Sequence, residues 1–103
     1  MTAYIYPLPP RKLATVGEFI LALAQLESTM EWLDKNGLEV ISFGCTPRGP
    51  TINVKAHPSA YMLARGSAWR RSYIQVGIHR HETWAFRARE GVEIAWKEIV
   101  CVH

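Results

Sequence analysis

TVGEFILALAQLESTMEWLDKNG, residues 15–37, opens on a capping box and closes on an Asn-Gly stop. Thr15 and Glu18 stand three apart, so each side chain can take up a free backbone amide of the other at a helix start. Val16, Phe19, Ala22, Leu23, Leu26, Met30 and Leu33 recur at the helical period and cover one face. Gly37 follows Asn36, and glycine there suits the left-handed residue that ends many helices. The spacing predicts one amphipathic helix over 16–36. Its apolar stripe must pack on something, and the rest of the chain offers strands.

Residues 38–45 contain the β-formers Val40, Ile41 and Phe43, and Thr46-Pro47-Arg48-Gly49-Pro50 reads as a turn. Residues 51–57 then alternate, with Ile52, Val54 and Ala56 on one side and Thr51, Asn53, Lys55 and His57 on the other. The two runs predict a hairpin. Residues 57–66 read two ways: Pro58 suits a first helical position and 59–65 fit two helical turns ending at Gly66, or the segment is a loop with one helical turn. Residues 72–80 alternate with Ile74, Val76 and Ile78 inward, and His81-Glu82 interrupts the pattern. Residues 83–89 place Trp84, Phe86 and Ala88 inward and Ala85, Arg87 and Arg89 outward, ahead of a tight turn at Glu90-Gly91. Over 92–102, Val92, Ile94 and Trp96 fit a strand, while Val92, Trp96, Ile99 and Val100 fit a helix face. Its β-branched content favours the strand.

The expected fold is α+β, with one long N-terminal amphipathic helix packed on an antiparallel sheet of four to five strands. A Pro-rich N-terminal arm, 1–14, precedes a single domain, 15–103. One helix cannot cover both faces of such a sheet, so the second face is expected to be solvated or to bind something. The chain has 103 residues, 49% of them hydrophobic and 20% charged, which is a globular composition rather than that of a disordered tail. The opening MTAYIYPLPPRK lacks a basic segment followed by an apolar run, which predicts no secretory signal and a cytoplasmic location. No membrane partner is expected, since the longest apolar stretch, 19–26, is far too short to span a bilayer. Cys45 and Cys101 are too few for a disulfide framework and read as reduced, half-buried thiols.

Charge is distributed unevenly. Residues 1–39 carry Glu18, Glu27, Glu31, Asp34 and Glu39 against Arg11, Lys12 and Lys35. Residues 40–81 contain no acid but hold Arg48, Lys55, Arg65, Arg70, Arg71 and Arg80. On the expected strands Lys55, Arg87 and Arg89 share the outward side, with Arg70 or Arg71 at the rim. These residues are the candidate anion- or nucleic-acid-binding set. The same surface would also meet an acidic protein patch. On the helix, Leu21 and Trp32 lie opposite Phe19, Leu26 and Met30. An outward Trp predicts a protein partner or self-association as a homodimer, or else cover from the Pro-rich arm or the loop around Trp69.

His79-Arg80-His81 would aim two imidazoles to one side of a strand. No third or fourth ligand stands nearby in sequence, so no metal and no cofactor are expected. Pro7-Leu8-Pro9-Pro10-Arg11-Lys12 spells a P-x-x-P ligand, but a stiff arm laid along the body is the favoured reading. His57-Pro58-Ser59 and His81-Glu82-Thr83 resemble the paired H-x-[ST] motif of the 2H phosphoesterases. That resemblance implies an acid–base pair of histidines with hydroxyls holding a phosphoryl group. Its triplets lie closer together here than in that family. No nucleophile, base and oxyanion site assemble from the sequence, so the expectation is a non-enzymatic binding module. A compact, aromatic-rich α+β chain of this size is similar in type to phage and prophage accessory proteins, including inhibitors of host defence.

Overall fold

The computed structural model describes residues 15–46, 49–88 and 90–102. The arm 1–14 with its P-x-x-P stretch, turn residues Pro47 and Arg48, and Arg89 lie outside the described residues. Helix α1 (Val16–Lys35) starts at the capping box read from sequence, with the Thr15 side chain accepting from the Glu18 amide and Glu18 accepting from the Thr15 amide. A hairpin follows, β1 (Val40–Thr46) and β2 (Gly49–Val54), then a short helix α2 (Pro58–Ala64). Three strands complete the chain: β3 (Trp69–Val76), β4 (His79–Arg87) and β5 (Glu93–Cys101).

The five strands form one sheet in the order β1-β2-β5-β4-β3. All neighbours are antiparallel except β2 and β5, which run parallel with Ile52 beside Ile94. The segment between β2 and β5 contains α2 and the β3–β4 hairpin, long enough for the crossover that a parallel pair requires. Of the two readings of 57–66, the structure takes the two-turn helix. His57 caps it, its Nδ1 accepting from the Ser59 amide, and Pro58 occupies the first turn.

Both helices lie on one face. Leu26 and Leu33 of α1 and Ala60 and Ala64 of α2 share a core with Ile52, Val54, Phe86, Ile94 and Trp96. Thr29 is buried with them, its hydroxyl donating to the Gln25 carbonyl at 2.7 Å. Phe19 and Leu23, on the same helical stripe, are nonetheless exposed. A 20-residue helix is roughly 30 Å long, whereas the seven residues of β1 span roughly 23 Å. The helix is therefore longer than β1 and β2, the strands it packs on, and its first turns carry the stripe past them.

The strand expected over 72–80 is divided by a hairpin. Gly77, at φ +61, takes the first central position of a two-residue turn with Ile78, a place glycine fills without strain. Ile74, Val76 and Ile78 are exposed rather than inward. The inward set on β4 is as expected for Trp84 and Phe86, which face Trp96 and Ile94 across the β4–β5 ladder.

Candidate docking surface

Strand register sorts the side chains into two faces. Arg80, Glu82, Trp84 and Phe86 of β4 pair with Val100, Glu98, Trp96 and Ile94 of β5 on the helix-covered side. His79, His81, Thr83, Ala85 and Arg87 pair with Cys101, Ile99, Lys97, Ala95 and Glu93 on the uncovered side. On β3, Ile74 lies beside His81 and Val76 beside His79. The uncovered face therefore carries rows: Val76, His79 and Cys101, then Ile74, His81 and Ile99, then Ser72, Thr83 and Lys97.

The basic stretch does not form one free cationic surface. Arg70 and Arg71 fall on opposite faces across a register shift in β3. Arg70 turns to the covered side, where its Nη1 lies 3.2 Å from Glu82 Oε2. Arg80 Nε donates to the same oxygen at 2.6 Å, and Trp84 Nε1 donates to Glu82 Oε1 at 2.8 Å. The Tyr73 ring sits beneath the Arg70 guanidinium, 4.6 Å from its centroid. On the uncovered side Arg71 Nη1 donates to Glu93 Oε2 at 2.5 Å. Arg87 reaches Glu93 Oε1 at 3.8 Å and donates to the Gly91 carbonyl at 2.9 Å. Glu82 and Glu93 are both buried. The two carboxylates thus each engage two arginines and offset two of the four positive charges on which much of the expected basic face depended.

What remains is a shallow groove of about 620 Å³ lined by Ile41, Ser42, Asn53, Lys55, Thr83 and Lys97, with Arg71 at its margin. Lys55 is where the alternation placed it, on the same side as Arg71 and Arg87. Lys97 was not among the residues singled out, because the segment 92–102 fits strand and helix alike and its face could not be assigned. The groove's neighbour on the same face is an apolar tract. Ile74 is 69% exposed, Val76 61% and Ile99 65%, with Ile78 of the turn at 62%.

The candidate stripe on α1 divides. Leu21 is exposed, but Trp32 is half-buried and packs against the core formed by Leu33, Leu63 and Phe86. Trp32 also borders a cleft of about 440 Å³ between α1 and α2, with Asn36, Leu63, Arg65 and Ser67. The partial burial has a physical cause: α2 builds a second wall beside α1. Leu21→Glu is accordingly expected to leave thermal stability unchanged within about 0.5 kcal/mol. Trp32→Glu should lower it clearly by placing a charge against apolar neighbours. Equal melting temperatures for the two variants would contradict this packing.

The two H-x-[ST] triplets are separated by the sheet. His57 is spent on capping α2, on the covered side, while His81 projects from the uncovered side and Glu82 is buried behind it. Cys45 and Cys101 are both free and exposed, not half-buried. Among the described residues, no helix is long and apolar enough to cross a membrane.

Two titrations follow from the covered face. Burial, and then the hydrogen bond to Glu98, push the Tyr61 hydroxyl up to about 12. Glu82 moves the other way: the Trp84 indole, then Arg80 and Arg70, hold its carboxyl below its ordinary 4.5. A carboxyl that ionises more readily folded than unfolded contributes fully above its unfolded value. That contribution drains away as pH falls through the lowered folded value. Acid unfolding of the wild type should therefore show a pH-dependent loss below the ordinary carboxylate range that is reduced in Glu82→Gln. Parallel melting-temperature profiles for the two proteins would remove this role for Glu82.

Comparison with protein-family models, curated proteins and solved structures finds no match. The functional reading rests on the surface itself.

Proposed function

We propose that this protein is a non-enzymatic binding module whose uncovered sheet face docks another protein. The observation that carries the reading is the group of Ile74 and Val76 on β3 and Ile99 on β5, which flank His79 and His81 of β4 and are mostly open to water. Exposed aliphatic side chains grouped on one face are costly to leave hydrated, and they mark interaction surfaces more often than they serve the fold. Lys97 and Lys55 border the group, so the partner that fits is an apolar patch edged by carboxylates. A second copy of the chain or a different protein would satisfy the apolar part of that description.

Nucleic acid is the weaker reading. A phosphate-binding face needs several unpaired cations, and Arg70, Arg71, Arg80 and Arg87 are each engaged by a glutamate. The test is capture from nuclease-treated host lysate by wild type and by an Ile74→Asp/Ile99→Asp double variant, alongside sedimentation of both purified proteins. The proposal expects a partner, or a dimer, that the wild type holds and the variant loses. Partners held equally by both proteins would overturn it. So would partners lost on nuclease treatment, and so would a wild type that neither captures a protein nor self-associates.

A further inference from the structure

We infer that His79, His81 and Cys101 form a surface site for a zinc-class divalent ion. The inference does not depend on the docking role. Sequence spacing supplies only the H-x-H pair. The β4–β5 ladder adds the third donor by setting Cys101 directly opposite His79, with Ile99 opposite His81. Residues two apart on a strand share a face, so both imidazoles and the thiol emerge from the same uncovered side. Directly paired residues on antiparallel strands have Cα atoms about 4.5–5.5 Å apart, and strand neighbours two apart are separated by roughly 7 Å. His81 and Cys101 stand diagonally, about 7–8 Å apart, and all three spans are within reach of side chains that bind a common ion at about 2.1 Å from nitrogen and about 2.3 Å from sulfur.

All three side chains are exposed, and Cys101 is a free thiol. As the side chains stand, no three such donors among the described residues converge on one point. Convergence requires the exposed side chains to turn toward one another over the strand surface. The flanking residues on this face are Val76 and Ile74 of β3 and Ile99 of β5, with Lys97 beyond Ile99. An apolar surround with no competing carboxylate in these rows favours a borderline-soft ion over calcium or magnesium, which seek oxygen ligands. Two neutral imidazoles and one thiolate leave the fourth tetrahedral position facing away from the sheet, where water or a group from another molecule would complete it.

Cobalt(II), titrated into fully reduced protein, is the probe. One equivalent should produce thiolate-to-cobalt charge-transfer absorption with tetrahedral ligand-field bands, and zinc should displace it. The charge-transfer band should persist in Cys45→Ser and vanish in Cys101→Ser. His79→Ala and His81→Ala should each require a markedly higher cobalt concentration to reach it. Unchanged far-ultraviolet circular dichroism in every variant would show that the loss is one of ligation rather than of fold. No charge-transfer band in the wild type would overturn the site, as would a band that survives Cys101→Ser or disappears in Cys45→Ser.

Discussion

Replacing Trp96 by alanine is expected to lower stability by about 3–5 kcal/mol, the range for removing a buried aromatic side chain. Trp96 is fully buried on the covered face. Its indole meets Tyr61 edge-on at 5.2 Å between centroids and Phe86 at 6.1 Å, and Nε1 donates to Glu98 Oε2 at 2.7 Å. The substitution opens a cavity where α2 joins the sheet and withdraws a hydrogen bond from Glu98, whose remaining donor is the Tyr61 hydroxyl. Ile99→Ala, three residues on and on the other face, should cost no more than about 0.5 kcal/mol. Urea denaturation reads both, and a fall in the midpoint at constant slope identifies a change in stability. Equal midpoints would mean that the two faces of β5 are assigned the wrong way round.

Glu93→Ala should destabilise by about 3 kcal/mol, at the lower end for breaking a buried ion pair. Glu93 is buried with Arg71 at 2.5 Å and Arg87 at 3.8 Å, but those arginine side chains are 34% and 46% exposed. They can turn to water once the carboxylate is gone, which keeps the loss from reaching the upper end. The variant also frees two cations on the uncovered face. It should gain salt-sensitive, non-specific affinity for DNA that the wild type lacks, because unpaired arginines can then neutralise phosphates. Wild-type affinity equal to that of the variant at low salt would show that the buried glutamate does not mask the arginines.

Local features were legible in the sequence and non-local ones were not. The capping box at Thr15 and Glu18 and the stripe through Leu26 and Leu33 fix α1, because helix contacts lie within four residues. The inward parity of Trp84 and Phe86 could also be read from alternation. Alternation misled at Ile74, Val76 and Ile78, since it reports that a strand has two faces and not which face is covered. There the punctuation was Gly77, whose freedom at positive φ marks the turn. The parallel pairing of β2 with β5 joins segments about forty residues apart, and no local pattern announces it.

The site follows the same division. Lys55 and Arg87 were placed correctly by strand parity, while Arg70 fell on the opposite face because a register shift in β3 reverses the count. Arg80 and Glu82, two apart on one strand, gave a visible hint of an ion pair. The pairing of Arg71 with Glu93 and the meeting of His79 with Cys101 arise only from the ladder. Trp32 is half-buried because α2 closes over that side of the core, a contact that no local pattern on α1 reveals.

The most direct test of the docking face is site-specific photocrosslinking in the host cell. A photoreactive phenylalanine analogue would replace Ile99 on the uncovered face, Tyr73 on the covered face, or Leu21 on α1, one position at a time. The account predicts a discrete protein adduct from position 99, resistant to nuclease, and none from positions 73 and 21. Adducts from position 21 or 73 without one from position 99 would contradict it, as would an adduct at 99 that nuclease removes.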